Sequence, residues 1–284
     1  MKNRYNKSVF EDKNGARLKH YVYSDMYTNP PIPDGYMHAY GEWNNGFVIM
    51  RISDGSQFVW IPVGYLDADG TLDGENFNEK FGRRNYLNDD ISEDEYDEDL
   101  SKELLEQIES VKKHGGFYIS RYNISKSIEG KPHSVNDAMP WVNIYFEDAK
   151  KIAATFETKG NVTSHLTYGA EYDSVLAWFI KSKARTLDEI VENSSNWGNY
   201  WNAKNTPRKL VETGSCIEWC TNGIYDFAGN VDEWTQEQNY SSFHIIRGGN
   251  YCNDGEFCPV SCHGIGFYDF CNSGTGFRIA LCIK

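Results

Sequence analysis

The sequence predicts an α+β chain with much irregular structure. Short stretches alternate apolar and polar residues, as half-buried strands do. A few separate stretches repeat apolar residues at helical spacing, and long runs rich in Asn, Asp, Ser and Gly lie between them.

In chain order, residues 1–30 are polar and aperiodic. Residues 29–34, Asn-Pro-Pro-Ile-Pro-Asp, form a Pro-rich extended break. Residues 46–52 and 57–63, joined by Ser-Asp-Gly-Ser, read as a β-hairpin. Residues 65–93 read as an inserted loop. Residues 94–113 place Leu100, Leu104, Leu105, Ile108 and Val111 at helical spacing, predicting a surface helix with that face buried. A strand follows at 116–124, then helices at 145–156 and 170–181, the second with Tyr172, Leu176, Phe179 and Ile180 inward. Residues 193–207 are an Asn/Trp-rich loop, and the remainder is short strands and long loops. No internal repeat is visible. The organisation expected is an N-terminal segment at 1–45, a tail or a docking or oligomerisation element, followed by one domain at 46–284. That domain carries an acidic insertion at about 65–113.

The chain has 284 residues and a net charge of −13, which argues against nonspecific nucleic-acid binding. The acidic run at 89–109 reads as a solvated helix face and loop. No apolar run approaches the roughly 20 residues of a membrane span. The first residues, Met-Lys-Asn-Arg-Tyr-Asn-Lys, lack the apolar core of a secretory signal, so the expected location is cytoplasmic unless something else carries the chain outside. Seven cysteines, an odd number, point to mostly reduced thiols. Cys216-x-x-x-Cys220 has no second Cys/His pair at zinc-like spacing and reads as structural.

Three signals mark the last sixty or so residues: Ala-Gly-Asn-Val-Asp-Glu-Trp at 228–234, Arg-Gly-Gly-Asn at 247–250 and Gly-Phe-Arg at 276–278. Between the last two, residues 250–275 are crowded with Cys, Phe, Tyr, Asn, Asp, Ser and Gly, and residues 257–283 contain no Lys, Glu, Gln, Met or Trp. Upstream stand Gln-Phe-Val-Trp-Ile-Pro-Val at 57–63, Gly-Phe-Tyr-Ile-Ser-Arg-Tyr-Asn-Ile at 116–124, Pro-Trp-Val-Asn at 140–143 and His-Leu-Thr-Tyr-Gly-Ala-Glu-Tyr-Asp at 165–173. Taken in order, these resemble the formylglycine-generating-enzyme (sulfatase-modifying factor) branch of the C-type-lectin fold, over about residues 47–284. The resemblance implies that Trp60, Trp141, Trp178 and Trp234 are core rather than a ligand platform. Arg247 and Arg278, in strands beside glycines, read as buried partners of carboxylates.

Fold alone does not give activity. Family oxidases bind copper through two cysteines, at the fourth and ninth positions past the second Gly of Arg-Gly-Gly. Those positions here are Asn253 and Cys258, with Cys252 one place early, and a one-residue shift on a strand turns a side chain to the other face. No copper is therefore expected. The related iron sulfoxide synthases need a histidine-carboxylate cluster on an N-terminal helix, where this chain has only His20 and His38. The family's Gly-Asn-Val turn can wrap calcium, which implies Asp226, Gly229, Val231 and Glu233 as an oxygen-only set for a hard cation. Asp232 stands where the family has Trp.

The restricted alphabet fits a specific process. Every residue at 257–283 is reachable by changing the two adenines of an Asn codon, the signature of adenine mutagenesis by a diversity-generating retroelement. Target proteins of such elements resemble this chain, with the variable segment between Arg-Gly-Gly and Gly-Phe-Arg. The resemblance implies a non-enzymatic binding surface built from Tyr251, Cys252, Asp254, Phe257, Cys258, Ser261, His263, Tyr268, Asp269, Phe270, Cys271 and Ser273, mostly facing solvent. Its partner would be a protein or glycan on another surface. Two alternatives stay open: a formylglycine-type copper oxidase, and an undiversified lectin-fold phage or surface structural protein.

Overall fold

The computed structural model describes residues 30–43, 45–63, 81–82, 96–97, 100–204, 206–239, 243–267 and 269–284. In chain order its elements are β1 (Tyr36–Tyr40), β2 (Val48–Arg51), β3 (Gln57–Pro62), β4 (Tyr96–Asp97), α1 (Lys102–His114), β5 (Gly116–Ser120), β6 (Ser125–Lys126), β7 (Pro132–His133), α2 (Phe146–Phe156), β8 (Val162–Leu166), α3 (Gly169–Lys181) and α4 (Leu187–Val191). Then follow β9 (Cys220–Thr221), β10 (Ile224–Tyr225), β11 (Asp232–Asn239), β12 (His244–Arg247), β13 (His263–Gly266), β14 (Thr275–Phe277) and β15 (Ile279–Ile283).

The larger sheet runs β1-β2-β3-β5-β15-β8 and is antiparallel throughout. Its register opposes Trp60 to Tyr118 and Leu281 to both Tyr118 and Ser164. The smaller sheet runs β13-β12-β11-β14, with β4 also on β11, and the β11–β14 pair is parallel. Two short ribbons, β6–β7 and β9–β10, complete the strands described. The end of the chain thus serves both sheets: β14 closes the smaller one and β15 sits inside the larger one.

Sequence explains the elements locally. In α1 the Ser101 hydroxyl accepts a hydrogen bond from the Leu104 amide, and Gly115, at φ 81°, ends the helix in the left-handed conformation. The helix predicted from residue 94 therefore starts at 102. Its buried face is Leu104, Gln107, Ser110 and Val111, whereas Leu100 and Leu105 are exposed. Gln107 is admitted to the interior because its side chain donates to Glu171 at 2.6 Å. In α3, Glu171 caps the Tyr168 amide at 2.9 Å, and Tyr172, Leu176 and Phe179 are fully buried as expected, with Ile180 half-buried. The sheet begins at Tyr36, inside the stretch read as an N-terminal segment. Residues 1–29, most of the inserted loop, and residues 89–95 and 98–99 of the acidic run lie outside the described residues.

Trp60, Trp178 and Trp234 are buried and Trp141 half-buried against Phe277, so the aromatic residues at the motifs are core. Trp234 also donates its indole N–H to the Ile144 carbonyl at 3.0 Å, which removes the one polar group that burial would otherwise strand. Among the described residues no helix is long and apolar enough to cross a membrane.

Candidate functional site

Two buried arginines frame the C-terminal segment. Arg247, at the end of β12, donates to Glu237 at 2.9 Å and to Asp173 of α3 at 2.7 Å, with its guanidinium over the Tyr172 ring. Arg278, between β14 and β15, donates to Glu233 at 2.6 Å, to the Ser120 carbonyl at 2.9 Å and to the Tyr225 carbonyl at 2.5 Å. Both are fully buried. Each joins elements distant in sequence, so the segment between them leaves and re-enters a rigid scaffold. Gly248 and Gly249 follow Arg247 at φ 98° and 68°. A Cβ on Gly249 would lie 2.7 Å from the Tyr200 ring, so the close approach requires glycine there.

The segment then folds on itself. The Asn250 amide group donates to Asp232 at 2.5 Å, and its Oδ1 accepts from the Cys252 amide at 2.8 Å. Asn253 Oδ1 accepts from the Asn250 amide at 2.8 Å. Burial lifts the Asp232 carboxyl to about 7. Next the segment leans on the loop after α4. Trp201 donates its amide to the Asn253 carbonyl, Asn202 donates to Asp254 at 2.7 Å and accepts from Gly255, and Ser194 accepts from the Val260 amide. Ser273 and Tyr251 are joined through their hydroxyls at 3.1 Å.

Fewer of these side chains are exposed than the alphabet suggests. Phe257 is 85% exposed, and Cys252, Asp269 and Ser273 are also exposed. Tyr251, Asp254, Cys258, Phe270 and Cys271 are half-buried, and Phe270 packs edge-on against Trp234. Ser261 is fully buried. The His263 side chain is 3% exposed, in contact with Glu237 at 3.3 Å and accepting from Arg247. Its place opposite Arg247 in the β12–β13 register sets it beside the buried ion pairs, where burial and the guanidinium push its pKa down. These two residues belong to the interior and not to the face. Tyr268 lies outside the described residues.

Further large side chains in and beside the segment are exposed. Trp201 is 52% exposed, with the Arg208 guanidinium 4.8 Å from its ring centre. Ile265 and Phe267 are exposed, and Phe267 meets Phe243 edge-on. The Asn/Trp-rich composition of 193–207 was the signal for Trp201, which a search confined to 250–275 misses.

At the turn before β11, Asp226 and Asn230 adopt positive φ, and Asp226 accepts from the Gly214 amide at 2.8 Å. Its other oxygen, and Oε2 of Glu233, are buried without a hydrogen-bond partner. Burial raises Asp226 to about 6. Two such oxygens suit a hard cation, which Asp226 and Glu233 would hold with the Gly229 and Val231 carbonyls. Two facts weigh against it. The Gly229 carbonyl already accepts from the Val231 amide at 2.8 Å, and Glu233 is already paired with Arg278. Among the described residues no three His, Cys, Asp or Glu side chains converge on a metal position.

Solved structures similar to the chain include PvdO from Pseudomonas aeruginosa, at a TM-score of 0.50 and 15% identity over 84% of this chain and 99% of that one. CarF matches at 0.46 and 16% over 60% of this chain and 87% of that one. Treponema denticola variable protein 1 matches at 0.43 and 15% over 60% and 85%. No curated protein sequence matches. The sulfatase-modifying factor enzyme 1-like domain model matches residues 54–283, most of the chain and every framing motif. By that match, and by the two-sheet scaffold whose buried arginines the motifs supply, the chain belongs to the sulfatase-modifying factor enzyme 1-like domain family.

Proposed function

We propose that this chain is a non-enzymatic binding protein whose C-terminal segment takes a protein or glycan on another surface. In this reading the segment is varied by a diversity-generating retroelement of a bacterium or its phage. One observation carries the reading: a segment of restricted alphabet emerges between two fully buried, ion-paired arginines and presents Phe257, Cys252, Asp269 and Ser273 to solvent. A scaffold that holds both ends of a variable loop lets side chains change without disturbing the core. An exposed aromatic amid short polar residues is the chemistry of an adaptable binding face.

The flanking DNA tests this. The expected result is a near-identical template repeat differing from the segment's codons only at adenines, beside a reverse-transcriptase gene. A locus without any such repeat would reduce the chain to an undiversified lectin-fold protein.

Copper-dependent oxidation is the competing reading, because the family includes such oxidases and Cys258 occupies one of their two thiolate positions. Side-chain placement favours binding instead. Asn253, at the other position, uses its amide oxygen within the Asn250 turn. Cys252 is exposed, while Cys258 is half-buried. A two-thiolate copper site needs both sulfurs aimed at one point. The expected outcome is that a cysteine-containing sulfatase peptide is left unconverted, even with added Cu(I). An aldehyde product in the mass spectrum would restore the enzyme.

A further inference from the structure

The loop from Trp201 to Lys209 borders the C-terminal segment and differs from it in charge. Residues 193–211 contain no Asp or Glu and three cations, Lys204, Arg208 and Lys209, in a chain of net charge −13. Residues 250–275 are the reverse, with Asp254, Glu256 and Asp269 and no Lys or Arg. All three cations are exposed, and among the described residues none forms an ion pair. The loop is held from beneath. Buried Asn199 donates to the Lys209 carbonyl at 2.9 Å and accepts from the Thr206 hydroxyl, and Asn230 accepts from the Val211 amide at 3.2 Å. At its other end the Trp201 amide and the Asn202 side chain bond the loop to Asn253 and Asp254. Arg208 stands at φ 52°, a left-handed conformation that a long side chain rarely adopts. Its guanidinium lies 4.8 Å from the centre of the Trp201 ring, and half of Trp201 is still open to solvent.

We propose that Trp201 and Arg208 form a fixed subsite for a sugar ring bearing a carboxylate, so that the partner is an acidic glycan. This names the ligand chemistry of the binding function proposed above and rests on it. The exposed indole offers a flat apolar surface whose negative π face attracts the weakly positive C–H groups of a pyranose. The guanidinium beside it presents planar N–H donors that match a carboxylate two at a time. Lys204 and Lys209 add positive potential around the pair. The Asp254 carboxylate next to the loop is engaged already, accepting from Asn202 at 2.7 Å and from the Glu256 amide at 2.9 Å. A protein partner fits the loop less well. Protein interfaces are built on several apolar side chains and are depleted in Lys, whereas here one exposed ring stands among Asn, Thr and cations. Lys and Trp are absent from residues 257–283, so this loop stands outside the restricted alphabet. The acidic unit is then held in the same way while the segment beside it changes.

The experiment passes the full chain over immobilised oligosaccharides carrying uronate or sialate carboxylates, each paired with its neutral analogue, with poly-glutamate as a peptide control. Acidic oligosaccharides should be retained over their neutral analogues, and less so as salt rises. Trp201→Ala and Arg208→Asn should each lower the affinity about tenfold or more. Both should keep the wild-type melting temperature, since the two side chains are exposed and Asn tolerates the left-handed backbone at 208. Replacing Lys204 and Lys209 together by Gln should weaken the salt dependence. The proposal is overturned if no acidic oligosaccharide is retained above its neutral analogue, if poly-glutamate is retained as strongly, or if the Trp201 and Arg208 variants bind as wild type does. Each of these results leaves a protein partner for the segment standing, whereas failure of the binding reading itself shows in the flanking DNA.

Discussion

At the scale of single residues, burial separates side chains that the sequence alphabet treats alike. Phe257 and Phe277 lie in the same restricted stretch, yet the first is 85% exposed and the second fully buried beside Trp141. Phe257→Ser should therefore change stability by less than about 0.5 kcal/mol. Trp234→Ala removes a buried ring and its indole hydrogen bond, and should cost roughly 3–5 kcal/mol in a urea melt. Asp232 gives a signed pH effect. Burial raises its carboxyl from an ordinary value near 4 to about 7, so the fold favours the protonated form. Its contribution to stability is present below about pH 4 and is lost as the pH rises towards 7. Asp232→Asn removes the charge while keeping a partner for Asn250. Relative to wild type the variant should gain stability over that window, by at most ~4 kcal/mol at about 1.4 kcal/mol per unit. A constant difference between the two proteins at every pH would mean that the Asp232 pKa is the same in the folded and unfolded chain.

At the scale of elements, the turn from Asp226 to Glu233 holds two carboxylate oxygens that the scaffold leaves unpartnered. We propose calcium there, held by the unpartnered oxygens of Asp226 and Glu233 with the neighbouring carbonyls. A ligand bound only by the folded chain stabilises by RT ln(1 + [L]/Kd), so excess chelator should lower the melting temperature and millimolar calcium restore it. Identical melts in both conditions would assign those oxygens to protons, as the raised Asp226 pKa already allows. How far each element was legible follows from how local its signal is. The β2–β3 hairpin and α3 have their periodicity and caps within a few residues, and both were predicted within a residue or two of their observed bounds. The start of α1 was misplaced because acidic residues 94–99 continue a helix-compatible composition, while the Ser101 cap sets the boundary. Ser261 and His263 were assigned to the face by the resemblance and the segment's alphabet. Their burial comes from the β12–β13 register and the Ile190 carbonyl that accepts from the Ser261 amide, long-range pairings that no local pattern reports. Trp201 was missed although its Asn/Trp-rich loop stood out, because only the tertiary fold sets loop 193–207 against Asn253 and Asp254.

At the scale of the molecule, the side chains that hold the C-terminal segment in place are separate from those it exposes. Both sheets are completed by the end of the chain, β14 on β11 and β15 between β5 and β8, so the segment before them is enclosed by structure on both sides. The ion pairs of Arg247 and Arg278 fix its two ends in the interior, where removing either guanidinium would strand carboxylates at roughly 3–5 kcal/mol. None of that machinery uses the exposed side chains. Replacing Cys252, Phe257, Asp269 and Ser273 together by Ser or Ala, as each position requires, should therefore leave the melting temperature within a degree or two of wild type, since exposed sites away from special contacts contribute little. Among the described residues, the bond lost is the Ser273 hydroxyl contact with Tyr251, and it is on the exposed side. Adding Ser261 and His263 to the same set should lower the melting temperature sharply, because those two face the buried ion pairs and the core. The pair of variants separates the two roles within one segment. If the four-site variant unfolded as readily as the six-site one, the whole segment would be packed core, and the displayed face would have to be sought elsewhere on the chain.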